Sequence, residues 1–72
     1  MNNLYIEGIN RNNMSQEKLQ LIETYLRVNY KMIVRGLLRL GEDETIICVK
    51  TNLSSNVYDL EEITREINNM IK

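Results

Sequence analysis

The order of hydrophobic and polar residues predicts that the chain begins with a strand. Leu4 and Ile6 alternate with Tyr5 and Glu7, as the two faces of a strand require. Glycine and asparagine tolerate turn conformations, so the run GINRNN at residues 8–13 is expected to end the strand. The first element is therefore placed within residues 3–10.

A helix is predicted next, over residues 16–29. Ser15 is a suitable N-cap because its hydroxyl can accept a hydrogen bond from a first-turn N–H, and Met14 and Leu19 match a hydrophobic staple. Apolar residues at helical spacing form a stripe that is expected to be buried. The stripe consists of Leu19, Ile22 and Leu26, widened by Leu21, Tyr25 and Val28.

Residues 32–51 are predicted to form a β-hairpin. Apolar residues in the first half, residues 32–40, also recur at helical spacing, so an extension of the preceding helix is an alternative. We favour a strand because apolar positions alternate there and because Gly36 would weaken a helix by about 1 kcal/mol. The second half, residues 45–51, is apolar on both faces, which is typical of a central strand.

The turn between these two strands is expected to comprise residues 41–44, GEDE. A turn of this length fixes which residues lie opposite each other in the hairpin. The predicted pairs are Leu40 with Thr45, Arg39 with Ile46, Leu38 with Ile47, Leu37 with Cys48 and Gly36 with Val49.

A polar loop at residues 52–56 leads into a second helix that begins near Val57 or Asp59. Asp59 and Glu62 fit a capping box, and Asn56 is the alternative cap. The inner stripe of this helix is predicted to contain Leu60, Ile63, Ile67, Met70 and Ile71.

This order of elements predicts one α+β domain over residues 1–72. A right-handed first crossover makes the first two strands parallel, with the third strand between them. The expected fold is a small two-layer sandwich of β-α-β-β-α order, with a three-stranded sheet and two helices on one face. It is a ferredoxin-like arrangement that lacks the last strand. The first strand, at residues 4–7, is then an open edge with unpaired backbone groups.

Composition argues against several classes of function. Cys48 is the single cysteine and the chain has no histidine, so an intrachain disulfide and the common zinc-ligand sets are excluded. We identify no nucleophile–base set, glycine-rich phosphate loop or paired catalytic acids, so we expect neither an enzyme nor a cofactor or metal. No apolar run approaches the ~20 residues of a membrane span. With one free thiol and no secretory signal pattern, a cytoplasmic protein without a membrane partner is expected.

The charges are segregated along a chain whose net charge is −1. Residues 1–41 contain six basic and three acidic residues, whereas residues 42–72 contain three basic and seven acidic residues. The low net charge argues against general attraction to nucleic acid or to anionic membranes. The segregation is compatible with self-association or with docking on a charged partner. The ten asparagines and the absence of alanine and proline indicate an A/T-rich coding sequence, as in low-G+C bacteria and their phages.

The face of the predicted sheet that points away from the helices is apolar and bordered by basic residues. A contiguous apolar strip on a small domain usually marks an interface. The predicted contact residues are Tyr5, Ile33, Arg35, Leu37, Arg39, Ile46, Cys48 and Lys50. We therefore expect a non-enzymatic binding or regulatory domain that acts through this face and the first-strand edge. Its partner is expected to be a second copy, as a homodimer, or another protein on which it acts as an adaptor or inhibitor.

Residues 4–9, LYIEGI, resemble the first-strand motif of RNA-recognition-motif domains. In that family an aromatic residue at the position of Tyr5 stacks on a base. The resemblance implies single-stranded nucleic-acid binding on the sheet face, with Arg35, Arg39 and Lys50 beside Tyr5 as phosphate contacts. This is the first alternative function.

The element order is also similar to that of ACT-type regulatory domains. Domains of that family bind small ligands at a subunit interface, at the turn that follows the first strand. Residues 10–14, NRNNM, occupy that turn here. The resemblance implies a small-ligand regulatory domain, which is the second alternative.

Overall fold

The computed structural model describes residues 2–10, 14–53 and 55–72, and it contains the five predicted elements in the predicted order. Residues 32–40 therefore do not extend the first helix. The elements are strand β1 (Asn2–Asn10), helix α1 (Gln16–Tyr30), strand β2 (Ile33–Leu40), strand β3 (Glu44–Thr51) and helix α2 (Leu60–Met70), with a 3₁₀ turn at Ser55–Val57. The turn predicted at residues 11–13, and part of the loop predicted at residues 52–56, lie outside the described residues.

The sheet has the order β1-β3-β2, and both outer strands are antiparallel to β3. β1 and β2 therefore run parallel to each other with β3 between them, as predicted. Side chains from both helices pack with those of the inner sheet face in one core. The predicted α+β sandwich, with three strands and two helices on one face, is confirmed.

The two helices begin at the predicted caps. The Ser15 hydroxyl accepts a hydrogen bond from the Lys18 N–H at 3.2 Å, and the Asp59 carboxylate accepts one from the Glu62 N–H at 3.2 Å. Helix α1 ends one residue later than predicted, at a left-handed Lys31 (φ 57°). Glycine usually occupies such a position, so a lysine there left no signal of the helix end.

The core lies between the inner sheet face and the two helices. Its apolar side chains are buried in the described part of the chain: Leu4, Ile6, Ile9, Ile22, Leu26, Met32, Ile47, Val49, Ile63, Ile67 and Ile71. Helix α1 buries a narrower stripe than predicted, because Leu21 and Val28 are exposed. The inner stripe of α2 is confirmed, with Leu60 and Met70 partly buried at its margins.

Strand β1 does not end at Gly8, because a bulge shifts its register between Ile6 and Ile9. Gly8 adopts φ 81°, a left-handed conformation that costs glycine little. The bulge returns Ile9 to the inner face opposite Thr45, where its side chain is fully buried. Ile9 was expected in a turn, and that prediction is wrong.

The predicted register of the β2–β3 hairpin is also wrong, by one residue. The turn contains three residues, 41–43, and begins at a left-handed Gly41 (φ 66°). A slip of one residue moves every side chain of a strand to the opposite face. The observed pairs are Leu40 with Glu44, Arg39 with Thr45, Leu38 with Ile46, Leu37 with Ile47, Gly36 with Cys48, Val34 with Val49 and Ile33 with Lys50, with a bulge between Val34 and Gly36.

Candidate association surface

The central strand separates the two faces of the sheet. Along β3, the side chains of Thr45, Ile47, Val49 and Thr51 are buried against the helices. The alternate residues, Glu44, Ile46, Cys48 and Lys50, are half-buried and point away from the helices. The sequence-based placement of Ile46, Cys48 and Lys50 on the outward face agrees with this geometry.

The edge strands add further apolar side chains to the same face, because residues opposite each other in a ladder share a face. Tyr5 lies opposite Cys48, Ile33 opposite Lys50, and Leu38 opposite Ile46. We call this surface the outward sheet face. It comprises Tyr5, Ile33, Leu38, Leu40, Ile46, Cys48 and Lys50.

The outward sheet face exposes four large apolar side chains. Tyr5, Ile33, Leu38 and Leu40 are 53%, 50%, 52% and 53% exposed. Together they present about 400 Å² of apolar surface, close to the largest patch of a typical monomer. Leu38 and Leu40 were not among the predicted contact residues. The signal for them was the turn length, since a three-residue turn beginning at Gly41 turns both leucines outward.

Leu37 and Arg39 lie on the other side of β2. Leu37 faces the buried Ile47, and Arg39 faces the buried Thr45. The two residues line a hollow of about 500 Å³ together with Met14 and Thr45. Their predicted place on the outward sheet face is therefore wrong, because the observed register reverses the face of this half of β2.

The basic residues predicted beside Tyr5 are not brought together on one face. Lys50 shares the outward sheet face with Tyr5. Arg35 occupies the β2 bulge, between the paired residues Val34 and Gly36, and Arg39 lies on the helix side. The turn implied by the ACT resemblance falls largely on residues 11–13, outside the described residues.

Gly36 lies opposite Cys48 on the outward sheet face and has no side chain to cover the space beside it. A Cβ added at Gly36 would meet no atom within 4 Å. Cys48 is half-buried, as are the other outward residues of β3. A side chain from a binding partner can enter this space without displacing a residue of the sheet.

A second concave surface lies between the edge of β1 and helix α2. This groove has a volume of about 570 Å³ and is lined by Tyr5, Glu7, Leu60, Glu61, Thr64, Arg65, Asn68 and Asn69. We call it the β1–α2 groove.

Side chains of α2 hydrogen-bond to the bulged half of β1 along this groove. The Thr64 hydroxyl donates to the Glu7 carbonyl at 3.2 Å, and the Asn68 amide donates to the Gly8 carbonyl at 3.0 Å. The Asn68 side-chain oxygen accepts a hydrogen bond from the Asn10 N–H at 2.8 Å. The predicted open edge of β1 is thus partly satisfied by α2, and residues 2–6 remain outside these contacts. No local sequence pattern indicated this contact, because it joins residues 57 to 60 positions apart.

Three tyrosines pack together at the C-terminal end of α1. The rings of Tyr25 and Tyr30 meet edge to face at 5.7 Å, as do those of Tyr30 and Tyr58 at 6.1 Å. The Tyr58 hydroxyl is hydrogen-bonded to Thr51. Burial raises the pKa of the Tyr25 hydroxyl well above its ordinary value, and the hydrogen bond to Tyr30 raises it further. The Tyr25 hydroxyl therefore stays neutral at physiological pH, and the ring contacts join the segment after β3 to α1.

Within residues 2–10, 14–53 and 55–72, no three side chains of the metal-binding types come together. None of the helices in this part of the chain combines the length and apolarity needed to cross a bilayer. Comparison of the sequence with protein-family models and curated proteins, and of the fold with solved structures, found no match.

Proposed function

We propose that this protein is a non-enzymatic cytoplasmic binding domain that associates with a second copy of itself through the outward sheet face. The supporting observation is the group of four half-exposed apolar side chains on one side of the sheet: Tyr5, Ile33, Leu38 and Leu40. Solvent contact with such a patch is unfavourable, and a partner that covers it removes that cost.

The size of the patch suits a dimer of moderate affinity. Two copies packed sheet to sheet would remove about 400 Å² of apolar surface each, and the rim would bring the total to roughly 1,000 Å², the lower limit for a specific interface. At 25 cal/mol per Å², the apolar part contributes on the order of 20 kcal/mol. This exceeds the estimated association cost of about 4–15 kcal/mol.

A homodimer would also supply stability that the small core of this domain lacks. A chain of 72 residues has a limited core, and domains of this size commonly gain stability from disulfides, metals or oligomerisation. Cys48 is a free thiol, so an intrachain disulfide is not the source of that stability here. Two sheets packed face to face lie about 10 Å apart, which lets side chains of one copy occupy the open space beside Gly36 of the other.

Leu38→Lys is expected to weaken the dimer at least about tenfold, because it places a charge in the apolar contact. Leu21→Lys is the matched control, since Leu21 is 56% exposed on α1 and Leu38 is 52% exposed on the sheet. Sedimentation velocity over a concentration series up to roughly millimolar measures the dissociation constant of the dimer for both variants and for the unmodified protein. A monomer at every concentration, or equal weakening by the two substitutions, would contradict the proposal.

A further inference from the structure

The β1–α2 groove lies where the fold leaves room for one more strand. In the split βαβ arrangement, a fourth strand pairs with the free edge of β1, and the second helix covers it. Here Thr64 and Asn68 of α2 hydrogen-bond to that edge, and the groove lies between α2 and β1. The space therefore has an edge strand on one side and a helix on the other, as in grooves that accept an added strand.

The uninterrupted part of the free edge has the length of a short strand. Residues 2–6 pair regularly with β3 up to the bulge, and the hydrogen bonds from α2 side chains reach β1 only from Glu7 onward. In an edge strand, alternate N–H and C=O groups point away from the sheet and can pair with another chain. An added strand can thus bind along residues 2–6 without displacing the α2 contacts.

The lining residues indicate which side chains an added strand carries. Tyr5 and the partly buried Leu60 supply apolar surface at one end of the groove. Glu7 and Glu61 add two negative charges there, and Arg65 lies one turn further along α2. An extended segment that alternates apolar and basic residues complements this surface.

A second copy of this chain is a poorer occupant of the groove. Residues 2–6 of a second copy, NNLYI, contain no basic side chain that could pair with Glu7 and Glu61. The groove is therefore better matched to an extended segment of a different protein.

We infer that the β1–α2 groove binds an extended, basic and apolar segment of a partner protein by strand addition to residues 2–6 of β1. The added strand takes the place of the absent fourth strand, antiparallel to β1. Main-chain hydrogen bonds supply affinity, and the acidic residues select basic side chains. The groove shares Tyr5 with the outward sheet face, whereas its other lining residues lie outside that face, and strand addition does not require the homodimer.

The test is an amide-detected NMR titration of the full chain with a short peptide that alternates valine and lysine. Chemical-shift changes are expected at the amides of residues 2–6 and at residues 60–69 of α2. A peptide that alternates valine and glutamate is expected to bind at least tenfold more weakly. The valine–lysine peptide with N-methyl groups on alternate residues, which cannot pair with the edge, is expected to lose binding.

Two variants distinguish the groove from the outward sheet face. Glu61→Lys is expected to weaken binding of the valine–lysine peptide several-fold and to leave the dimer intact. Leu38→Lys is expected to weaken the dimer and to leave peptide binding unchanged. The inference would be overturned by shift changes confined to other surfaces, or by their absence at roughly millimolar peptide. Equal binding of the two charge types, or of the N-methylated peptide, would overturn it as well.

Discussion

Ile67→Ala is expected to lower the free energy of unfolding by about 2–5 kcal/mol, enough to unfold much of the protein at room temperature. Ile67 is fully buried on α2, within the core that joins both helices to the sheet. Removing its branched end leaves a cavity that the close-packed neighbours fill only partly. A domain of this length has only a few kcal/mol of net stability from its core, so one such cavity removes most of it.

Chemical denaturation followed by circular dichroism measures this effect. All variants must be compared at one low protein concentration, because self-association makes apparent stability depend on concentration. Ile67→Val is the graded control and should cost about 0.5–1.5 kcal/mol. Val57→Ala, at an exposed position, should change stability by less than about 0.5 kcal/mol. An Ile67→Ala cost below about 1 kcal/mol would show that the core is not assembled as described.

Gly8→Ala is expected to lower the free energy of unfolding by about 1–3 kcal/mol. Gly8 has φ 81°, and an alanine in this region is strained by its Cβ. The nearest atom to that Cβ would be Cγ2 of Thr64 at 3.5 Å, an ordinary contact, so the cost is conformational and not a clash. Relief of the strain would move the bulge whose carbonyls bind Thr64 and Asn68.

Gly36→Ala is the matched control for this prediction. Gly36 is also a strand glycine, but its backbone is not left-handed and a Cβ there meets only open space. Its replacement should be near neutral or slightly stabilising. Hydrogen exchange adds a local measurement, because Gly8→Ala should speed exchange of the Asn10 amide that Asn68 binds. Equal stability of the Gly8 and Gly36 variants would contradict the strained bulge.

The order and type of the elements could be predicted because several local signals agreed. Ser15 and Asp59 cap the helices where predicted, and the apolar residues of β3 identified it as the central strand. The bounds of the strands were less predictable. Both bulges depend on how each strand fits its neighbours, and Gly36, which borders the bulge in β2, was used only as evidence against a helix.

The composition of the candidate surface could be predicted only in part. Side-chain alternation correctly placed Tyr5, Ile33 and Ile46 on one face, since their strands stay in register with β3 at those points. Leu37 was assigned to the outward face in place of Leu38 because the predicted turn was one residue too long. A change of one residue in the turn reverses the face of every side chain in the adjoining strand. The polar contacts of Thr64 and Asn68 could not be foreseen, because they join residues more than fifty positions apart.

Association through the outward sheet face is tested most directly by isotope-filtered NMR on an equal mixture of ¹³C-labelled and unlabelled protein. Only contacts between different copies give signals in this experiment. If the copies associate through this face, intermolecular contacts are expected from the methyl groups of Leu38, Leu40 and Ile46 at roughly millimolar protein. Intermolecular contacts that arise only from the exposed α1 methyls of Leu21 and Val28, or no intermolecular contacts at all, would contradict it.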